Sequence, residues 1–247
     1  MHCGRDGSSA CHFINCTRWP CTRPVTVPPT AARWAAPPAR VSRLPSGPAK
    51  FCCVTTDPFD RSTLLVAATR AEAHHLPADA RVLVTGIGKV RAATTLTRAL
   101  VEAERDGRQP IRQLISIGTA GALRAQHTGI FFPSVVIEHD ISATELRAMG
   151  YPLVDRWELP DGDGTVLASG DTFVADPVRR DVLARHADLV DMEGAAVAHV
   201  AADFGIPCRM VKIVSDAADE SAMDWPSVVD AAARRLGEWC AGAAAIG

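Results

Sequence analysis

Long apolar runs, net charge and, over most of its length, cysteine are scarce in this chain. No stretch approaches the ~20 consecutive apolar residues that a membrane-spanning helix needs, although 47% of the 247 residues are hydrophobic. A formal net charge of −2 argues against a chain built to wrap nucleic acid. Cysteine is confined mainly to one end: Cys3, Cys11, Cys16, Cys21, Cys52 and Cys53 precede residue 54, and Cys208 and Cys240 alone follow it. The opening MHCGRDGSSACHFINC has no apolar core of the kind a secretion signal carries, so a disulfide framework is not expected. Cys11, His12, Cys16 and Cys21 are at spacings that match no zinc-finger pattern. No metal-ligand constellation and no cofactor motif stand out. The expectation is a soluble, cytoplasmic protein with reduced thiols, no membrane partner and no nucleic-acid partner.

The two ends of the chain differ in kind. Residues 1–60 hold nine of the 17 prolines and show no sustained period, and proline pairs such as Pro28-Pro29 and Pro37-Pro38 defeat both helix and ladder. Residues 1–53 carry a local charge of +6, leaving about −8 for the remainder. Residues 1–60 therefore read as a disordered extension, a mis-assigned start or an Arg-rich targeting or polyanion-binding arm. Residues 61–247 read as one folded domain.

Apolar runs and helical periods alternate from Thr63 onward. Leu64–Ala68, Arg81–Thr85, Ile111–Ile117, Ser134–Ile137, Thr165–Ala168 and two further apolar runs around Val190 and Val214 predict strands. Between them the spacing predicts a short helix over Thr69–Ala73, a long one from Lys89 to about Arg105, and another from Pro177 to about His186. A small-residue helix is expected after Glu193, and an amphipathic one over Trp225–Ala241. The fold class is α/β: a single domain with a central twisted, mainly parallel (mixed) sheet flanked by helices.

Ligands in such sheets bind at the carboxyl ends of the strands, and several motifs fall there. Gly86-Ile87-Gly88-Lys89 lacks the hydroxyl residue of a Walker loop and, with Arg91 in place, the third glycine of a dinucleotide fingerprint. It reads as a strand-to-helix turn. Gly118-Thr119-Ala120-Gly121 reads as a loop offering backbone N–H groups and one hydroxyl to a sugar or an anion, or simply as a tight turn. Asp191-Met192-Glu193 and Ser215-Asp216 place acids at two further strand ends. Asp216 on its own also suits a helix N-cap.

Together with Ser169-Gly170-Asp171-Thr172-Phe173, the order and spacing of these motifs resemble the purine nucleoside phosphorylase superfamily, and most nearly its hydrolytic branch, the 5′-methylthioadenosine/S-adenosylhomocysteine nucleosidases. The resemblance spans about Leu64 to Cys240. It implies that Glu193 accepts the ribose hydroxyls as an ionised carboxylate, favoured by the start of its helix, with Met192 against the sugar. It implies that Phe173 stacks on the purine, that the Val174 backbone meets the base edge, and that Thr119, Ala120 and Gly121 form the loop beside the sugar. Asp216, oriented by Ser215, would protonate the leaving base, and Glu72 would take a proton from the attacking water. Met149 and Tyr151 would complete a neighbour's pocket across a homodimer interface, with a small-molecule nucleoside as the other partner.

Two departures from the family bear on specificity. Between Tyr151 and Ser169 the chain has only YPLVDRWELPDGDGTVLA where an additional helix and strand are usual, and the Asp161-Gly162 and Asp163-Gly164 steps predict a tight reverse turn there. The arginine with which related phosphorylases clamp phosphate is replaced by Ser116, leaving Thr119 and, in principle, Arg70 or Arg91. Hydrolysis is the expected reaction. Phosphorolysis, and hydrolysis of a related nucleoside such as futalosine, are the alternatives.

Overall fold

The computed structural model describes residues 61–107 and 110–244, and the expectations for residues 1–60 lie outside them. The elements in chain order are β1 (Thr63–Ala67), β2 (Val82–Val84), α1 (Lys89–Asp106), β3 (Gln113–Ala122), β4 (Ile130–Phe131), β5 (Val135–Glu138), α2 (Ala143–Ala148), β6 (Arg156–Glu158), β7 (Val166–Ser169), α3 (Pro177–Leu183), β8 (Leu189–Asp191), α4 (Gly194–Phe204), β9 (Cys208–Asp216) and α5 (Trp225–Ala244), with a 3₁₀ turn over Glu220–Asp224 before α5.

Nine strands form one mixed sheet with the path β2-β1-β3-β8-β7-β5-β6, while β9 pairs with β3 and with β4. The pairs β1–β2, β1–β3, β3–β9, β5–β7 and β7–β8 are parallel; β3–β8, β4–β9 and β5–β6 are antiparallel. The central strands are largely apolar because both faces are covered. Successive residues point to opposite faces, so Leu64, Val66, Leu114 and Met210 join one core with Leu96 and Leu100 of α1 and Val197 of α4. Leu65, Ala67, Ile115, Val211 and Ile213 join the other, with Ala232 and Leu236 of α5. Each fully buried leucine contributes roughly 1.5–3 kcal/mol of transfer free energy. The small residues of α4 are part of this arrangement: Ala195, Ala196, Ala198 and Ala201 are all buried.

A fork in the sheet makes the functional edge. Strand β1 accompanies β3 only from Gln113 to Ser116, and β8 joins that same edge, antiparallel, at Gly121. Between these two partners β3 runs on against β9 alone, with a register shift at Ala120/Gly121. The Gly118–Gly121 segment expected as a loop is therefore part of β3. Its extended backbone is held by the long β9 run, which sequence periodicity in β3 alone does not reveal.

Other expectations shift more modestly. Thr69–Ala73 is a succession of turns rather than a helix, although Thr69 and Glu72 exchange the two reciprocal bonds of a capping box; Pro77 follows too soon for a helix to extend. Helix α3 stops at Leu183, short of His186. The reverse turn expected in the span 159–165 falls at Pro160–Asp161, and it joins no hairpin, since β6 and β7 pair with opposite edges of β5. The span passes around the start of β5, with Asp163 accepting the Phe132 N–H at 2.6 Å and the Thr165 N–H at 2.9 Å. Strands β4 and β6 and helix α2 are too short to show a period, and the sequence reading missed them.

Candidate active site

A cleft of about 300 Å³ opens at the fork, lined by residues from every strand end expected there, among them Glu72, Thr119, Phe173, Met192, Glu193 and Asp216. Its size is at the lower end of the range for small-molecule sites. Thr119, Ala120, Gly121, Val174 and Ser215 line it as well. Met149 and Tyr151 do not line this chain's own cleft: they are 63% and 65% exposed, at the end of α2 and just beyond it.

Glu72 fills the gap in the sheet. Its Oε1 accepts the Thr119 N–H and the Thr119 hydroxyl, each at 2.8 Å. Its Oε2 accepts the Thr69 N–H and hydroxyl, each at 3.0 Å. Four donors converge on one buried carboxylate, and the backbone donor on β3 is one that a neighbouring strand would otherwise have used. Gly118 makes room for it: a Cβ at that position would stand 2.8 Å from Oε1.

Glu193 is held from another direction. It precedes α4, yet its side chain caps no part of that helix. Its Oε1 instead accepts the N–H of Gly88 at 2.7 Å, at the start of α1. Gly88 has φ of 91°, a conformation that glycine adopts freely, and the orphan N–H groups at a helix start suit a carboxylate. The next one, on Lys89, goes to Asp171 Oδ1 at 2.7 Å. The helix start that meets Glu193 is thus that of α1, from 105 residues upstream, and not its own. Burial, then the neighbouring Asp191, push the Glu193 carboxyl up to about 8, against the pull of the Gly88 N–H and Lys212.

Beneath this acid is a cation that sequence reasoning missed. Lys212, 3% exposed on β9, lies 2.9 Å from Asp191 Oδ2 and 3.2 Å from Ser116 Oγ. Burial works against its charge, but Asp191, Glu193 and Glu72 outweigh it and hold its pKa above the ordinary lysine value. A lone lysine in the apolar run Met210–Val214 was the available signal. Asp191 meanwhile accepts the Gly194 N–H at 3.1 Å, so α4 is capped by Asp191.

Asp216 is at the end of β9. Its Oδ2 accepts the Ser215 hydroxyl at 2.7 Å, and its Oδ1 accepts the Ala218 N–H at 2.9 Å. Ala218 has a left-handed φ of 51°, and no helix begins at this point; the following 3₁₀ turn is capped by Asp219. Asp216 is therefore no helix cap, and its carboxyl faces the cleft beside Gly121. Phe173 is 47% exposed and Val174 5%. Met223, Trp225 and Pro226 form a wall that the sequence reading did not anticipate. Arg70 and Arg91 are exposed, and among the described residues lining the cleft none is arginine or lysine.

Next to the cleft, Lys89 Nζ bridges Glu138 and Asp140, and Asp140 accepts the Asp171 N–H at 2.7 Å. This network ties the starts of α1 and the Phe173 segment to the end of β5. His139, whose two ring nitrogens are buried without a hydrogen-bond partner, has its pKa lowered chiefly by burial.

The arrangement has counterparts. A family model described as the phosphorylase superfamily matches residues 163–243. An aminodeoxyfutalosine nucleosidase of Helicobacter pylori strain ATCC 700392 / 26695 is 42% identical over 165 residues, which cover 57% of this chain and 68% of that one. A 5′-methylthioadenosine/S-adenosylhomocysteine nucleosidase of a Marinomonas species is 32% identical over 168 residues, covering 57% of this chain and 69% of that one. Among solved structures, a Helicobacter pylori 5′-methylthioadenosine/S-adenosylhomocysteine nucleosidase superposes with a TM-score of 0.62 at 22% identity, covering 75% of this chain and 98% of that one. The order of motifs along the chain, the forked mixed sheet and these matches agree that the chain belongs to the phosphorylase superfamily, in its nucleosidase branch.

Proposed function

We propose that the protein is a purine nucleosidase, hydrolysing the N-glycosidic bond of an adenosine-type nucleoside that resembles 5′-methylthioadenosine or S-adenosylhomocysteine. The observation that carries this reading is the carboxylate in the sheet gap. Both polar groups that Thr119 offers, N–H and hydroxyl, are spent on Glu72 Oε1, and a carboxylate there repels phosphate while it accepts a proton from water.

In this reading the purine lies over Phe173 and the ribose hydroxyls meet Glu193. Asp216 gives its proton to N7 as the bond between the sugar carbon and the base nitrogen breaks, and the electron pair leaves with the base. Water adds to the oxocarbenium-like carbon from the Glu72 side, and its proton passes to Glu72. The products are free base and free sugar, and no cofactor takes part. A homodimer in which Met149 and Tyr151 close a neighbour's cleft belongs to the same proposal; their exposure suits that role, and sedimentation of the full chain tests it. No described helix is long and apolar enough to cross a membrane, and a cytoplasmic location is for cell fractionation to test.

The reaction is tested by incubating the protein with 5′-methylthioadenosine in phosphate-free buffer and measuring adenine and free sugar. Adenine release without phosphate is expected. Turnover that begins only on adding phosphate, with sugar 1-phosphate as product, overturns the hydrolytic reading in favour of phosphorolysis. Futalosine and S-adenosylhomocysteine in parallel reactions define the 5′ substituent.

A further inference from the structure

We propose that Trp225 is a positioning residue for Glu72, acting through the hydroxyl of Thr119. The proposal rests on the reading of Glu72 as the group that activates water.

The indole Nε1 of Trp225 donates to Thr119 Oγ1 at 2.9 Å, across 106 residues of sequence. Thr119 Oγ1 in turn donates to Glu72 Oε1 at 2.8 Å. The direction of this chain is forced. An indole N–H only donates, and a hydroxyl has one proton and two lone pairs. With the indole proton on one lone pair, the hydroxyl proton is free to turn only toward an acceptor, and Glu72 Oε1 is that acceptor. A donor arriving at the oxygen also polarises the outgoing O–H and strengthens it. Trp225 thus fixes the Thr119 rotor and, through it, Oε1 of Glu72.

The fold gives this contact a rigid mount. Ala222, just before Trp225, is buried, and the Trp225 N–H closes the 3₁₀ turn on the Ala222 carbonyl. Pro226 sits in the first turn of α5, where a missing N–H costs nothing. The segment that follows Asp216 therefore returns over Thr119, so the groups on both sides of the bound sugar are linked by one short stretch of chain. The indole also lines the cleft, but a lining ring needs no N–H directed at a threonine.

Trp225→Phe keeps an aromatic ring and removes the donor. Loss of one neutral hydrogen bond predicts a kcat roughly 5- to 10-fold lower, with KM changed less than kcat because an aromatic ring still lines the cleft. In a Thr119→Val background the same substitution is expected to change kcat by less than about 2-fold, since the relay is already cut. Benzothienylalanine at position 225, which replaces the N–H by sulfur at nearly constant shape, serves where Trp225→Phe does not fold. The Trp225 indole N–H resonance of ¹⁵N-labelled full-length protein, assigned by its loss in Trp225→Phe, is expected to move in Thr119→Val and in Glu72→Gln. Equal kcat losses in the two backgrounds, a rise in KM alone, or an indole resonance unmoved in Glu72→Gln overturns the proposal. A wild-type protein that releases no base refutes the nucleosidase reading instead, and the resonance then still decides whether Trp225 and Glu72 are linked.

Discussion

Lys212 Nζ lies 2.9 Å from Asp191 Oδ2, with the two side chains 3% and 1% exposed. The pair is the charge balance beneath the cleft, because Glu193 and Glu72 also act on the lysine. Removing the cation alone leaves a buried carboxylate beside two further acids. Lys212→Met is therefore expected to destabilise the fold by about 3–5 kcal/mol, the usual cost of breaking a buried pair. Adding Asp191→Asn is expected to restore most of that loss, since the amide oxygen still accepts the Gly194 N–H. Urea unfolding of the single and double variants checks this; a double variant no more stable than Lys212→Met refutes the pairing as the source.

The raised Glu193 carboxyl makes stability depend on pH in a direction unusual for an acid. Below its ordinary value of 4.5 the group is protonated in folded and unfolded chains alike, and it contributes no slope. Between 4.5 and about 8 the folded protein keeps a proton that the unfolded chain has released. The group therefore favours folding less and less as pH rises through that window, and the loss levels off above about 8. One group sets a slope of at most about 1.4 kcal/mol per pH unit. Glu193→Gln removes that slope, so its unfolding free energy is expected to decline less than the wild type's between about pH 6 and about pH 8. Parallel curves for the two proteins would show that Glu193 is not the titrating group.

How far this site was legible depends on the range over which each contact acts. The acids Glu193 and Asp216 and the aromatic Phe173 stand in short motifs whose order survives in the linear sequence, and the structure brings them to one cleft. The partners of those acids were not legible. Gly88 reaches Glu193 across 105 residues, and Trp225 reaches Thr119 across 106; no local period encodes either contact. The strands β1, β3, β7, β8 and β9 were readable because both of their faces are buried. The continuation of β3 through Gly118–Gly121 was not, because glycines there signal a turn in the sequence while the β9 ladder holds them extended. Thr69–Ala73 misled in the opposite sense: Thr69 and Glu72 form the capping box of a helix start, yet the chain makes only turns there before Pro77.

The same glycines supply the sharpest test of the sheet gap. A Cβ at Gly118 would stand 2.8 Å from Glu72 Oε1, too close for the carboxylate to stay where it is, and 3.3 Å from its Cδ. The backbone of Gly118 lies in β3 with no positive φ, so alanine is compatible with the strand and the strain falls on the carboxylate. Displacement of a catalytic group by about 1 Å costs roughly 10²-fold in rate. Gly118→Ala is accordingly expected to lower kcat for base release by about that factor, with little change in unfolding midpoint. Glu72→Gln, which removes the proposed base, is expected to cost about 10²- to 10⁴-fold. Combining the two is expected to cost no more than Glu72→Gln alone, because the alanine then displaces a group that no longer takes a proton. If Gly118→Ala turns over at the wild-type rate while Glu72→Gln does not, the position of Glu72 is set elsewhere than by the gap between β1 and β8.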